Sequence, residues 1–332
     1  ETLRYYAGYA DKIHGQTIPV RGNRLCYTRQ EPVGVVGQII PWNFPLLMLA
    51  WKWGPALAAG CTIVLKPAEQ TPLTALRVAA MAQEAGFPDG VINVVPGDGP
   101  TTGAALVRHP GIDKIAFTGE YKTAQIIMRD AAPTLKRLTF ELGGKSPQLV
   151  FADCADMEKT AGIVARAITL NAGQVCVAGS RLIVQESVAE QVVDLIAARF
   201  RALKAAPTWD PSSTLSPIIN HPQLDRIAGI VGRTVAAGAR LVTGGGRAAG
   251  PQDGSYFQPT ILAGIDATAE AAREEIFGPV LTVQTFGDEE EGLALANDTQ
   301  FGLAAGVHTG DVARALRAVR DRKSTRLNSS HT

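Results

Sequence analysis

The stretch that decides the fold is residues 34–42, GVVGQIIPW, followed at residues 62–67 by TIVLKP. Each is a short run of β-branched and aliphatic residues that ends at a proline, and a longer pattern with helical spacing follows each one. This alternation is typical of a parallel sheet with helices packed on its faces. We therefore predict an α/β fold, with strands at 34–42 and 62–67.

The same alternation continues outward from this stretch. It predicts three more strands in the first part of the chain, at 92–95, 114–119 and 137–142. After Gly143 and Gly144 the pattern restarts, with strands expected at 148–151, 181–185, 241–243, 280–286 and 303–308. Residues 15–32 alternate like a two-stranded ribbon that turns at residues 21–23. These patterns indicate two α/β domains, 1–141 and 142–320, with part of a β-ribbon near the start.

Several helix starts are marked by capping residues. Thr71 is a suitable N-cap before Pro72, and Asp156 is a suitable N-cap for a later helix. Ser187, with Glu190 three residues on, fits a capping box. Residues 5–15 have helical character as well.

Composition restricts the class of protein. The chain has 332 residues, 46% of them hydrophobic and 19% charged, with a net charge of +1, which fits two globular domains and gives no basic face for nucleic acid. The apolar stretch 39–65 contains Lys52 as its only charge, but three prolines break it, so we expect a buried core segment rather than a membrane span. Four cysteines without a Cys-x-x-Cys pair, and five scattered histidines, predict reduced thiols in the cytoplasm and no metal site.

Reactive side chains lie at turns between the predicted elements, where function is often found. Cys176 is followed by small residues, which would let a substrate approach its sulfur, although a lone cysteine is more often a small buried hydrophobe. Glu141 ends an apolar strand at the sheet edge where α/β proteins bind ligands, or is an exposed turn carboxylate. Asn43 could donate to an oxyanion or cap a turn. Lys66 and Glu69 could hold ribose hydroxyls or form a solvated pair.

Four strings, taken together and in order, resemble the NAD(P)-dependent aldehyde dehydrogenase superfamily over nearly the whole chain. They are PWNFP at 41–45, LKPAEQTP at 65–72, ELGGK at 141–145 and GQVC at 173–176. Further similar strings are RYYAG at 4–8, GDGP at 97–100, EEIFGPV at 274–280, and Asn297 followed by FGLA at 301–304. The resemblance implies a Rossmann-like NAD-binding domain at 1–141, an α/β catalytic domain at 142–320 and an oligomerisation ribbon at 15–32.

The resemblance also implies a reaction. Cys176 would attack the aldehyde to form a thiohemiacetal, with the oxyanion held by the Asn43 amide and the Cys176 backbone N–H. Hydride transfer to NAD would leave a thioester, and Glu141 would act as the base for its hydrolysis to a carboxylic acid. No metal would take part. We expect a small or medium organic aldehyde as the substrate.

The same resemblance implies the cofactor-binding residues. Lys66 and Glu69 would bind the adenine ribose, Gly119 would lie by the pyrophosphate, and Glu275 with Phe277 would orient the nicotinamide. The remaining cofactor-binding residues that it implies are Ile39, Trp42, Gly99, Phe117, Glu120 and Leu142. Glu120 stands where the family commonly has serine. A 2′-phosphate ~4 Å from Glu69 would be repelled by about 4 kcal/mol per unit charge at an effective dielectric of ~20, so we predict NAD in preference to NADP.

Other interpretations differ in cofactor or activity. An acylating dehydrogenase would pass the thioester to coenzyme A, although Glu141 favours water, and a cysteine hydrolase would need a histidine base that no nearby position supplies. The main alternative is an inactive or structural fragment of such an enzyme. Relatives normally carry more chain at both ends, so we expect a truncated chain, with residues 321–332 as a foreign tail. For the full-length relative we expect a homodimer or homotetramer, without nucleic-acid or membrane partners.

Overall fold

A computed structural model describes residues 1–250 and 254–321 of the chain. It divides the chain into two units, Glu1–Leu142 and a second unit that begins at Gly143. The first unit contains a parallel sheet and the second a mostly parallel one, each with helices, so the predicted α/β class is confirmed. Asp321, the first residue of the predicted tail, ends a helix, and the rest of that tail lies outside the described residues.

The first unit combines a small ribbon with a five-stranded sheet. Its helices are α1 (Thr2–Ala7), α2 (Pro45–Ala58), α3 (Leu73–Glu84), α4 (Ala104–Arg108) and α5 (Tyr121–Ala131). Its strands are β1 (Thr17–Ile18), β2 (Cys26–Tyr27), β3 (Val35–Ile39), β4 (Thr62–Lys66), β5 (Ile92–Val94), β6 (Lys114–Thr118) and β7 (Arg137–Glu141). Strands β1 and β2 are antiparallel, and the sheet is all parallel, in the order β5-β4-β3-β6-β7. The five predicted strands are therefore present, with shorter bounds than the sequence suggested.

Alternation along the strands of this sheet supplies both of its hydrophobic faces. Ile63 and Leu65 on β4 are fully buried with Leu49 and Trp53 of α2. Val64, between them, packs on the opposite side with residues of α4 and α5. Because a strand points successive side chains to opposite faces, one run of apolar residues serves both layers.

The second unit contains a six-stranded sheet. Its helices are α6 (Met157–Thr169), α7 (Ala189–Arg201), α8 (His221–Ala236), α9 (Glu270–Arg273), α10 (Glu289–Asn297) and α11 (Val312–Asp321). Its strands are β8 (Pro147–Val150), β9 (Arg181–Gln185), β10 (Arg240–Thr243), β11 (Thr260–Ala263), β12 (Val280–Phe286) and β13 (Gly306–His308). The order is β10-β11-β12-β9-β8-β13, and β10 runs antiparallel to the others. Helices α6 and α7 form one hydrophobic cluster with apolar strand residues of this sheet. Helices α8 and α10 form two further clusters with other apolar residues of the same strands.

Three predicted helix boundaries are wrong. Thr71 does not cap α3, because its N–H closes a turn onto Ala68 and the first helical N–H bonds to Pro72, which takes the cap position. Ser187 lies in the 3₁₀ turn Glu186–Val188 and forms no capping box. Within residues 1–15 the helix is Thr2–Ala7 rather than 5–15. Asp156 caps α6 as predicted, accepting from the Lys159 N–H at 2.9 Å.

No helix in the described part of the chain is both long enough and apolar enough to cross a membrane.

Candidate active site

Strand register in the first unit brings several predicted residues to one sheet edge. Ile39 pairs with Lys66 on one side and with Phe117 on the other. On the next strand, Thr118 pairs with Glu141. These are the carboxyl ends of four parallel strands, and the strand order reverses between β3 and β6. Such a switch point leaves a crevice in which open α/β sheets bind ligands.

An ion pair lies at the carboxyl end of β4. Lys66 is 3% exposed, and its Nζ donates to Glu69 Oε1 at 2.9 Å and to the carbonyl oxygen of Pro67 at 3.1 Å. Partial burial alone would raise the pKa of Glu69, but the Lys66 hydrogen bond and backbone N–H groups, that of Gly99 among them, hold this pKa below its usual value. Glu69 is therefore an ionised, accessible acceptor, fixed in place by a buried lysine.

The loop after β6 has features of a phosphate seat. Gly119 leads to Glu120 and the start of α5, whose N-cap makes no side-chain hydrogen bond, and a helix N-terminus of this kind directs its backbone N–H groups and the positive end of its dipole toward an anion. A Cβ on Gly119 would lie 2.5 Å from the Phe117 ring, so the close approach of this loop requires glycine. Thr118 Oγ1 is buried and has no hydrogen-bond partner among residues 1–250 and 254–321. The Glu120 side chain is exposed.

The turn after β3 carries Trp42 and Asn43, both half-buried. Pro45 follows at the first position of α2, where a missing N–H costs nothing. A cavity of about 540 Å³ opens beside Asn43. Its lining is mostly apolar and comprises Glu1, Thr2, Leu3, Asn43, Phe44, Pro45, Leu46, Leu47 and Ala50.

Lys52 is a site residue that the sequence reasoning missed as a functional group. Burial lowers the pKa of Lys52 to about 8, with Glu141 opposing the shift and Lys114 adding to it. The opposite charges of Lys52 and Glu141 therefore interact within the first unit. The sequence feature that could have identified Lys52 is its position as the only charge in the apolar stretch 39–65.

In the second unit, an unusual backbone conformation shapes the loop that carries Cys176. Asn171, Ala172 and Gly173 have φ values of 49°, 51° and 73°, in the left-handed region that favours glycine. A Cβ on Gly173 would lie 2.2 Å from the Gly278 carbonyl oxygen. The loop therefore packs backbone to backbone against the segment before β12, and Cys176 follows it in a half-buried turn.

Gln174 fixes the same loop. Its side chain is buried, with Nε2 donating to the carbonyls of Asn171 and Pro217 and Oε1 accepting from the Ile219 N–H at 2.8 Å. No local sequence pattern predicts this role, because two of its three partners, Pro217 and Ile219, lie more than 40 positions away.

Glu275 lies against the turn that precedes β8. Its Oε1 accepts from the Gly144 N–H at 3.0 Å, and a Cβ on Gly143 would lie 2.0 Å from Oε2. A Cβ on Gly144 would meet the Cys176 carbonyl oxygen at 2.5 Å. The two glycines therefore let the Glu275 carboxylate and the Cys176 backbone both approach the start of this unit.

The segment that carries Glu275 and Phe277 is held by two side chains from α8. Arg226 donates to the carbonyls of Glu275 and Ile276 at 2.8 Å, and Gln223 donates to those of Ile276 and Phe277. Phe277 has a φ of 55°, so these bonds support a strained backbone position. Both side chains were missed by sequence reasoning, since nothing local links α8 to this segment.

The predicted residues thus form two groups, one in each unit. The first unit holds Ile39, Trp42, Asn43, Lys66, Glu69, Gly99, Phe117, Gly119, Glu120, Glu141 and Leu142. The second holds Cys176, Glu275 and Phe277. In the described parts of both units, no group of three or more His, Cys, Asp and Glu side chains could hold a metal ion.

Comparison with known proteins defines the class. The model of the aldehyde dehydrogenase family matches residues 1–328, and the chain belongs to that family. It is 48% identical to human retinal dehydrogenase 2 over 317 residues, 95% of this chain and 61% of the relative. An Enchytraeus buchholzi aldehyde dehydrogenase is 48% identical over 318 residues, 96% of this chain and 63% of the relative. The chain therefore spans less than two thirds of these relatives.

Solved structures agree with this family and with the fold. The NAD+ complex of an aldehyde dehydrogenase from Bacillus cereus superposes with a TM-score of 0.95 at 45% identity, covering 97% of this chain and 65% of that one. The resemblance read from the sequence strings, and the mixed α/β fold that it implied, are both confirmed.

Proposed function

We propose that this chain oxidises an aldehyde to a carboxylic acid with NAD, using Cys176 as the nucleophile. The observation that carries the proposal is the Cys176 turn of the second unit, where Gly144 packs against the Cys176 carbonyl oxygen and the glycine-shaped loop 171–173 precedes a half-buried thiol. A half-buried thiol suits the nucleophile of acyl chemistry, and the half-buried Glu141 carboxylate of the first unit suits its base.

NAD is the proposed cofactor. When bound, it supplies a hydride acceptor. Support for its site comes from the α5 N-terminus beside Gly119 and the Thr118 hydroxyl, which has no partner within the described part of the chain, since both suit a pyrophosphate. The Lys66 and Glu69 pair suits ribose hydroxyls. The proposed NAD-binding surface also includes Ile39, Trp42, Gly99, Phe117, Glu120 and Leu142. The Bacillus cereus relative, solved with NAD+, adds support.

In the proposed reaction, the Cys176 thiolate adds to the carbonyl carbon of the aldehyde, and the carbonyl π electrons become the oxyanion of a thiohemiacetal. The Asn43 amide and the Cys176 N–H donate to that oxyanion, which stabilises the charge as it develops. Loss of the carbon-bound hydride and collapse of the oxyanion then leave a thioester on Cys176.

Glu141 is the proposed base for the second half of the reaction. Its carboxylate takes a proton from water, the resulting hydroxide adds to the thioester carbon, and the Cys176 thiolate leaves with release of the carboxylic acid. Lys52 is a cation below about pH 8, and its charge interacts with that of Glu141.

We also propose NAD in preference to NADP. Glu69 is ionised and accessible, and its place at the end of β4 would set a negative charge against a 2′-phosphate. The substrate is proposed to be a small or medium organic aldehyde, in keeping with the largely apolar cavity beside Asn43.

The ribbon is proposed to join copies of the chain in a homo-oligomer. Ile18, Val20, Leu25 and Tyr27 are exposed on this short two-stranded element, and their burial against a second copy would remove apolar surface from water. Light scattering of the chain and of a Leu25→Asp variant tests this point, since the variant should have the smaller mass.

The function is tested by absorbance at 340 nm with NAD and a panel of aldehydes. The chain should form NADH, and Cys176→Ala should abolish the signal. Cys154→Ala removes another half-buried thiol and is the matched control, which should retain activity. Equal rates for Cys176→Ala and the unaltered chain would contradict the proposed nucleophile, and no rate with any aldehyde would favour an inactive fragment.

A further inference from the structure

Lys145 is a buried lysine to which the proposed reaction gives no role. It follows Gly143 and Gly144 directly and is 1% exposed. Its Nζ has no hydrogen-bond partner among residues 1–250 and 254–321. Burial of an ammonium without hydrogen bonds is costly unless opposite charge is near, so its surroundings need an explanation.

Four charged side chains act on the Lys145 amine: Glu274, Glu275, Arg181 and Arg226. The two arginines donate hydrogen bonds to backbone carbonyl oxygens. Arg181 donates to the carbonyls of Lys145, Leu295 and Ala296, and Arg226 donates to those of Glu275 and Ile276. Of these three cations, Lys145 is the one whose charged group makes no hydrogen bond to a carbonyl oxygen in the described ranges 1–250 and 254–321, so it can balance the charge of the two glutamates.

Of these two carboxylates, Glu275 is bound to the Lys145 turn itself. It accepts from the Gly144 N–H at 3.0 Å and occupies the space that a Cβ on Gly143 would need. We propose that Lys145 is a positioning residue, which holds the Glu275 carboxylate against Gly143 and Gly144 and thereby strengthens NAD binding. This inference rests on the proposed function, in which Glu275 orients the nicotinamide ribose.

The amine is charged only in part of the ordinary pH range. Burial, and then repulsion by Arg181, lower the pKa of Lys145 to about 7, while Glu275 and Glu274 oppose the shift and Arg226 adds to it. Below about pH 7 the ammonium holds Glu275, and above it the neutral amine does so less well. NAD affinity should therefore weaken as the pH rises through about 7.

The test measures NAD dissociation constants by calorimetry near pH 6 and pH 8.5. The unaltered chain should bind about tenfold more weakly at the higher pH, which is roughly 1.4 kcal/mol. Lys145→Met should bind weakly at both values. Lys136→Met, which removes a buried lysine bonded to the His109 carbonyl, is the matched control and should keep the pH dependence. The inference is overturned if Lys145→Met keeps that dependence.

A second variant covers the case in which Lys145→Met does not fold. Glu275→Gln removes the carboxylate on which Lys145 acts, so its NAD affinity should no longer change between the two pH values. An unchanged pH dependence in Glu275→Gln would overturn the inference. Failure of the proposed function is distinguishable, because it appears as absence of aldehyde-dependent NADH formation in a chain that still binds NAD with this pH dependence.

The cofactor-free protein gives a further readout. The folded-state pKa of Lys145 lies below its unfolded value, so between about pH 7 and 10.5 the unfolded state binds more protons and stability rises with pH. Lys145→Met should therefore melt above the unaltered chain near pH 6, and this difference should shrink near pH 9. A lower melting temperature of the variant at pH 6 would contradict the buried charge on which the inference depends.

Discussion

The candidate residues of the two units are held by different means. In the first unit, Ile39, Lys66 and Glu141 lie where they do because parallel strands end in register at one sheet edge. In the second unit, Cys176 and Glu275 lie on irregular segments fixed by glycine contacts and buried side chains.

This difference has a consequence for substitution. A residue at a strand end can change with little effect on its neighbours, because the sheet holds the backbone. A residue of the Cys176 loop cannot be replaced so easily, because the conformation of that loop depends on its long-range contacts.

The largest effect is expected for Gly173→Ala. A Cβ there meets the Gly278 carbonyl oxygen at 2.2 Å, and φ is 73°, so both strain and overlap oppose it. We expect a loss of at least about 3 kcal/mol of stability, together with loss of Cys176 reactivity toward a thiol reagent. Gly86→Ala in the first unit is the control, since φ is 90° there but the space is open. It should cost about 1 kcal/mol in denaturant unfolding. Similar costs for the two variants would contradict the contrast.

A smaller effect is expected for Glu69→Gln. Loss of the negative charge should lower the NAD over NADP preference in kcat/KM by about tenfold, with the fold stability nearly unchanged. This is less than the unscreened repulsion, because Glu69 is exposed to solvent and paired with Lys66. Glu84→Gln, an exposed glutamate paired with Arg77, is the matched control and should leave the preference intact. If Glu69→Gln kept the full preference for NAD, the role proposed for Glu69 would be wrong.

The smallest effect is expected for Lys52→Met. Lys52 is charged below about pH 8 and attracts the Glu141 carboxylate. Loss of the Lys52 proton near pH 8 removes that attraction, so in the unaltered chain the rate of thioester hydrolysis should change between about pH 7 and pH 9 by roughly twofold. Lys52→Met should lose this change, whereas Lys122→Met, at an exposed lysine, should keep it. The same change in Lys52→Met as in the unaltered chain would contradict the proposed interaction.

The same contrast explains how much the sequence could predict. The sequence predicts the five strands of the first sheet and the ribbon, because β-branched runs and turn residues determine structure locally. It also contains the short strings that match the family. The Asp156 cap could be predicted from the sequence for the same reason. No such local signal predicts the roles of four other residues, because most of their partners lie far away in sequence and no periodic pattern marks them. These residues are Gln174, Gln223, Arg226 and Lys145.

The wrong helix starts show a limit even for local signals. Thr71 and Ser187 are good capping residues by type, but each lies in a turn that ends before the helix begins. A capping residue stabilises a helix only where the backbone enters it in an extended conformation, and that depends on the preceding connection. Glu190, expected in a capping box, instead pairs with Arg240 at 2.9 Å.

The central claim is that Cys176 carries the acyl group and that Glu141 promotes its hydrolysis. The most direct test mixes Glu141→Gln with NAD and an aldehyde, quenches the reaction and analyses the peptides by mass spectrometry. The account predicts a burst of about one NADH per active site, with the acyl mass on the Cys176 peptide, since hydrolysis is slowed after acylation. Turnover at the unaltered rate, or an acyl group on another residue, would contradict it.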